Sequence, residues 1–243
     1  MAARRRRQRS TNVDAFDSGM TASAQSGPAR ATGMAAGAPL SFYRRRGKRL
    51  LDLGLGLLLF IWVLPVMAAA ALTVLLFSGW PVIYRAERLG LNGRPFRMLK
   101  LRTMVNGADR MLAGLLQTNP GLEREYQAGL KLRDDPRTTK IGALLRKFSL
   151  DELPQLWHVI TSEMSLVGPR PYAADEWPLL SARTEVLSVT PGVTGPWQVQ
   201  GRNELPAEAR LRLDAGYTQT ITAGRDLRYL LITVKCLVRP NGL

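Results

Sequence analysis

The sequence predicts an α+β protein: a mainly helical, membrane-associated domain with a small β-hairpin, preceded by an N-terminal re-entrant membrane helix-break-helix. Three observations predict it. The run from Leu53 to Phe77 is apolar and carries no charge, long enough for a helix to reach across a bilayer. Pro65 stands at its centre, where proline removes a backbone donor and clashes with the preceding turn. Arg44, Arg45, Arg46, Lys48 and Arg49 precede the run, and Arg85, Arg88, Arg94, Arg97, Lys100 and Arg102 follow it, so the positive-inside rule assigns both ends to the cytoplasm. A segment that enters and leaves on one face turns back inside the lipid. A full span with a tolerated proline and a buried core helix are the alternatives. The run is too long for a secretory signal and starts too far into the chain.

Residues 1–40 are rich in Ala, Gly, Ser, Thr and Arg without an apolar period, and read as a disordered basic tail that cannot offset its ordering entropy by burial. Residues 41–80 hold the membrane helix and its basic flank, and residues 81–243 are long enough for one compact domain. Within that domain, Pro81 to Met104 alternates apolar and polar residues around Asn92-Gly93, which predicts a hairpin. Met111/Leu112 and Leu115/Leu116 repeat at helical spacing, which gives a short amphipathic helix from Ala108 to Leu116, either on the membrane or against the core. Further helices are expected from Ile141 to Phe148, from Leu153 onward with Leu156, Val159 and Ile160, and from Asp226 to Val238 with Leu227, Leu230, Leu231 and Val234 on one face. Gly168 opens a loop rich in Gly and Pro.

The formal net charge is +15, and eleven of the 34 basic residues, against two acids, lie before Leu50. Charge concentrated beside a membrane segment selects anionic lipid as a partner. No zinc-finger spacing, aromatic RNA-binding strand or basic-region heptad supports nucleic acid. Cys236 is the one cysteine, which excludes an internal disulfide framework and reads as a buried apolar residue. With His158 the one histidine, read as a surface or internally satisfied residue, a His/Cys metal site is excluded. Any metal is then held by carboxylates and phosphates, which selects magnesium or manganese.

Asp151 and Glu152 stand together in Phe148-Ser149-Leu150-Asp151-Glu152-Leu153-Pro154-Gln155-Leu156. Adjacent carboxylates at a helix mouth are costly unless solvated, paired or holding a cation; an ordinary helix cap, with Pro154 in the first turn, is the bland alternative. The neighbourhood favours chemistry. Arg146 and Lys147 precede the pair, and Gly168-Pro169-Arg170-Pro171 follows it, with prolines that stiffen an arginine fork suited to phosphate. Carboxylates, arginines and magnesium are the equipment for reaction at a pyrophosphate.

The block Leu144 to Leu156, followed by Met164-Ser165-Leu166-Val167-Gly168-Pro169-Arg170-Pro171, resembles the bacterial sugar transferases, the monotopic polyprenyl-phosphate phosphoglycosyltransferases. Lys48-Arg49-Leu50-Leu51-Asp52, Lys100-Leu101-Arg102-Thr103-Met104 and the stretch from Thr190 to Arg202 match the family in the same order. The resemblance covers Lys48 to Val238 and is closest to the short form associated with exopolysaccharide priming. It implies transfer of sugar-1-phosphate from a UDP-sugar to polyprenyl phosphate, usually undecaprenyl phosphate, with release of UMP, on the cytoplasmic side of the bacterial inner membrane. It further implies that Asp151 is the nucleophile of an aspartyl phosphosugar intermediate and that Glu152 is the partner acid that holds magnesium or positions the acceptor. Arg146, Arg170 and Arg202 are then expected at phosphate or nucleotide, with Lys100 and Arg102 among the substrate-binding residues. Asp226 falls where the family carries an acid before its last helix, with an N-cap as its alternative role. Asp134-Asp135-Pro136-Arg137 matches a family loop expected to border the site.

Overall fold

The computed structural model describes residues 42–129, 132, 134–181, 183–200 and 205–238. The tail expected to be disordered, 1–40, lies outside them, as does Arg202.

Helix α1 (Lys48–Ser78, 31 residues) is entered through a π-type turn at Tyr43–Gly47. Where two arms separated by a break were expected, one helix carries Pro65 inside it; a proline removes a single bond from a ladder that otherwise continues. Among the described residues, Tyr43–Ser78 is the one segment long and apolar enough to cross a membrane. Much of α1 faces outward, with Leu57, Leu58, Ile61, Trp62, Leu76 and Phe77 exposed.

Both halves of α1 nevertheless pack on the same domain. Before Pro65, Leu51, Leu55, Leu59 and Val63 lie against the core of Leu156, Val159, Met164, Leu166 and Tyr217. After it, Ala70 and Val74 join Val82, Leu101 and Leu145. Gly56 permits the first contact, since a Cβ there would stand 2.9 Å from Val159 Cγ1.

Strands β1 (Ile83–Leu89) and β2 (Pro95–Leu101) pair antiparallel, from Ile83 opposite Leu101 to Leu89 opposite Pro95. Asn92 (φ 57°) and Gly93 (φ 72°) make the expected left-handed turn. Helix α2 (Ala108–Thr118) is followed by α3 (Pro120–Gly129), which the sequence did not announce, and by α4 (Lys140–Lys147). A 3₁₀ turn at Leu150–Glu152 then leads into α5 (Gln155–Ile160).

Strand β3 (Ser165–Val167) follows, then α6 (Trp177–Leu180) and β4 (Gly192–Thr194), which pairs parallel with β3. Helices α7 (Pro196–Val199), α8 (Ala207–Gln219) and α9 (Ala223–Val238) complete the order. On α9, Leu227, Leu231 and Val234 are exposed, whereas Asp226 and Cys236 are buried. The bonds of Asp226 to Tyr43, Lys48 and Tyr217 set this rotation. Burial of Cys236 agrees with its reading as an apolar residue.

Candidate active site

The site begins with a close approach of backbones. A Cβ at Gly142 would fall 1.9 Å from the Thr103 carbonyl oxygen, so glycine lets α4 seat on the chain leaving β2. The Thr139 side chain caps that helix by accepting from Gly142 N at 2.9 Å. From α4, Arg146 donates Nε to Thr103 Oγ1 at 2.9 Å and a terminal nitrogen to Thr138 Oγ1 at 3.1 Å. Its guanidinium is thereby aimed, not floating.

Ser149 then takes a left-handed backbone (φ 54°, ψ 26°). That conformation costs a side-chain-bearing residue about 1–2 kcal/mol and tends to persist where function holds it. The reversal delivers Leu150 into the core beside Ala70 and Val74 of α1, and Asp151 and Glu152 into the next turn. Asp151 is buried, at 7% exposure. Glu152, half-exposed, accepts from Lys100 Nζ of β2 at 3.0 Å.

His158 fixes that strand. Its Nε2 accepts from Leu99 N at 3.0 Å, which makes Nδ1 the donor to Glu163 Oε2 at 2.7 Å. Fully satisfied and 3% exposed, it pins β2, and with it Lys100, beside α5; this agrees with its reading as an internally satisfied residue.

Burial raises the Asp151 carboxyl above the usual carboxylate range, and the like charge of Glu152 raises it further, while Lys100 and Arg146 pull it down. Asp151 is not an N-cap: α5 starts after Pro154 without a side-chain cap, and Ser149 makes no capping bond. Asp151, Glu152, Lys100 and Arg146 are brought together as expected. The loop before α4 borders them: Thr138 holds Arg146, and Asp135 locks Arg137 at 2.6 Å. An apolar cavity of about 270 Å³ lies alongside, between Phe60, Leu64 and Met67 of α1, Leu99 of β2, and Pro154 and Trp157.

Other expected site residues are engaged elsewhere. Arg102 is 7% exposed and donates to the carbonyls of Ser78, Gly79 and Trp80; it closes the C-terminus of α1, whose last carbonyls lack intrahelical donors. Asp226 is 0% exposed and accepts from Lys48 Nζ at 2.8 Å and from the Tyr43 and Tyr217 hydroxyls at 2.7 Å. It clasps the start of α1, and since α9 begins at Ala223 it is not an N-cap. Arg170 pairs with Glu176 at 2.6 Å, in a cluster of its own.

Sequence reasoning missed the tethers. Asp52 accepts from Ser165 Oγ at 2.8 Å and Leu166 N at 3.0 Å, and Arg49 donates to the Val159 and Ile160 carbonyls at 2.7 and 3.0 Å. An acid at the very mouth of an apolar run was the available signal, because nothing in a bilayer stabilises it.

Among the described residues, no group of three His, Cys, Asp or Glu gathers for a metal. Asp151 and Glu152 would need substrate phosphate oxygens to complete a donor set for magnesium.

A buried acid beside an ion-paired one, within the influence of two cations and in a domain that carries a membrane-length helix, is an arrangement that suits anionic groups. The chain belongs to the bacterial sugar transferase family, whose model matches residues 43–240. It is 40% identical over 196 residues to the exopolysaccharide production protein ExoY of Sinorhizobium fredii, covering 80% of this chain and 87% of that one. It is 38% identical over 205 residues to the UDP-glucose:undecaprenyl-phosphate glucose-1-phosphate transferase of Caulobacter vibrioides, covering 80% of this chain and 71% of that one. Against the undecaprenyl-phosphate galactose phosphotransferase of Salmonella typhimurium, identity is 37% over 196 residues, 80% of this chain but 41% of the longer relative.

Proposed function

We propose that this enzyme transfers sugar-1-phosphate from a UDP-sugar to polyprenyl phosphate, releasing UMP, as the priming step of exopolysaccharide synthesis. The observation that carries the reading is the buried Asp151 carboxyl within the influence of the Lys100 and Arg146 charges. In this reading an Asp151 oxygen attacks the sugar-linked phosphorus and the bond to UMP breaks. A phosphate oxygen of the lipid then attacks the same phosphorus, forming the diphosphate and freeing the carboxylate. Lys100 and Arg146 offset charge on the phosphate oxygens that the carboxylate must approach. Glu152 positions the acceptor or, with Asp151, holds magnesium; when bound, the ion neutralises phosphate charge. Arg170 and Arg202 serve the nucleotide or its phosphates. The apolar cavity beside Pro154 suits the first isoprene units of the lipid.

The re-entrant topology belongs to the same reading. A straight helix of 31 residues is about 46 Å long, yet both its ends are bonded to one domain, which supports a helix that dips into one leaflet. The domain then stands on the cytoplasmic face of the inner membrane, where the basic flanks meet anionic lipid. Arg45→Cys and Arg94→Cys, tested separately in oriented vesicles, are both expected to label from the cytoplasmic face; labelling from opposite faces would end the re-entrant model.

The function is tested with a panel of UDP-sugars and undecaprenyl phosphate in detergent, scored by nucleotide product. UMP formed with one or more donors is the expected result. Inorganic phosphate or pyrophosphate in place of UMP identifies a phosphatase or a nucleotidyltransferase instead.

A further inference from the structure

Arg146, in the last turn of α4, is held by two hydroxyls. Its Nε donates to Thr103 Oγ1 at 2.9 Å and a terminal nitrogen to Thr138 Oγ1 at 3.1 Å. Among the described residues, neither hydroxyl bonds to anything else. A hydroxyl fixes the direction of a guanidinium without lending it a negative charge. Arg137, in the loop before α4, shows the other arrangement, since the Asp135 carboxylate locks it at 2.6 Å. Asp135 and Asp151 act on Arg146 through space, not through a bond.

These two bonds are not what fastens α4. Thr139 N donates to the Thr103 carbonyl at 3.0 Å and Val105 N to the Arg137 carbonyl at 2.9 Å. The Thr139 side chain caps the helix, and Gly142 lets its backbone seat against Thr103. Main chain therefore already joins the exit of β2 to α4, and the hydroxyls add the direction of one side chain.

That side chain stands at the head of the Asp151 turn. The Arg146 carbonyl accepts from Ser149 N at 3.1 Å, and the Ser149 carbonyl accepts from Glu152 N at 3.3 Å. Arg146 is itself exposed, and a guanidinium has more N–H donors than these hydroxyls use. Its remaining donors are open to an anion, and a planar fork suits phosphate oxygens.

We infer that Thr103 and Thr138 are positioning residues for the donor phosphates: their hydroxyls hold the Arg146 fork at the angle at which its remaining donors meet phosphate oxygens beside Asp151. This rests on the proposed function, which gives Arg146 to those phosphates, and adds two residues that act only through it. An arginine already held in place loses less rotamer freedom when the ligand arrives than one that swings free.

The test is equilibrium binding of UDP, which carries the two phosphates of the donor, to the full chain in detergent micelles with magnesium present. Arg146→Met is expected to weaken UDP at least about tenfold, and Thr103→Val and Thr138→Val, which keep volume and lose the hydroxyl, at least about threefold each. Thr103→Ser and Thr138→Ser keep the hydroxyl and should bind UDP within about twofold of the native chain. In an Arg146→Met background neither valine should have a further effect, because the group through which it acts is gone. An unchanged melting temperature shows that folding is intact. Should Thr103→Val unfold the chain, Thr138→Val and Thr138→Ser carry the test.

Unchanged UDP binding in the folded valine variants makes the hydroxyls structural and overturns the inference. The same loss from valine with and without Arg146, or a loss that serine does not recover, also overturns it. So does an Arg146→Met variant, or a native chain, whose UDP binding gives the threonines nothing to position. Because turnover is not measured, failure of the transfer reaction shows in UMP release and failure of this inference in UDP affinity.

Discussion

Asp151→Asn is expected to lower kcat at least about a thousandfold, equivalent to about 4 kcal/mol of barrier. Asparagine keeps the shape of the side chain but has no anionic oxygen to form an acyl phosphate. Without acceptor, the native enzyme is expected to release UMP in a burst of about one per site and to gain the mass of a sugar phosphate; Asp151→Asn shows neither. In the proposed reaction the reacting form is the carboxylate, so the rate is expected to fall as pH drops through its raised pKa. Lys100→Met removes a cation that holds that pKa down and moves the acid limb of the profile to higher pH. Near-normal turnover by Asp151→Asn, or transfer under rapid quench with no acceptor-free intermediate, would refute the double displacement.

Lys48→Met is expected to destabilise the chain by about 3–5 kcal/mol, as removal of one partner from a buried pair does. Lys48 Nζ is bonded to Asp226 Oδ2 and the Val167 carbonyl, both at 2.8 Å, and the partner side chain is 0% exposed. Without the lysine, the Tyr43 and Tyr217 hydroxyls still donate to Asp226, but the charge has no counterion. A fall in Tm of about 6–20 °C in detergent is the expected readout for a chain of this size. Lys48→Met/Asp226→Asn should melt above the single variant, since it removes the uncompensated charge. A single variant that melts with the native protein would show that the clasp contributes nothing.

The turn at Asn92-Gly93 was legible because few residues accept left-handed backbone, and the pair Asp151-Glu152 because adjacent acids in an apolar setting need a reason. The charges around the membrane segment were visible, but their individual destinations were not. Lys100 and Arg102 read as one basic block; in the fold, one meets Glu152 and the other the carbonyl end of α1. Asp226 read as a polar group before an apolar helix, whereas its role depends on Tyr43 and Lys48, some 180 residues away. No local pattern carries such a pairing. Strands β3 and β4 span three residues each, too few to display a period of two. Pro65 was plain, but whether a proline breaks a helix or sits within it depends on what the neighbouring turns rest upon.

Lys48, Arg49 and Asp52 fasten one end of α1 and Arg102 the other, so in the proposed topology the Asp151 turn has no freedom to rise away from the bilayer. Its height is set by the helix beneath it. In the proposed reaction the acceptor is confined to the same leaflet, so enzyme and lipid meet by lateral diffusion in a plane. The quantity that governs capture is then the mole fraction of carrier in the membrane, not its amount per volume. Diluting the carrier with inert lipid is then expected to slow the reaction at constant total carrier, whereas a donor arriving from solution would be counted in the ordinary way.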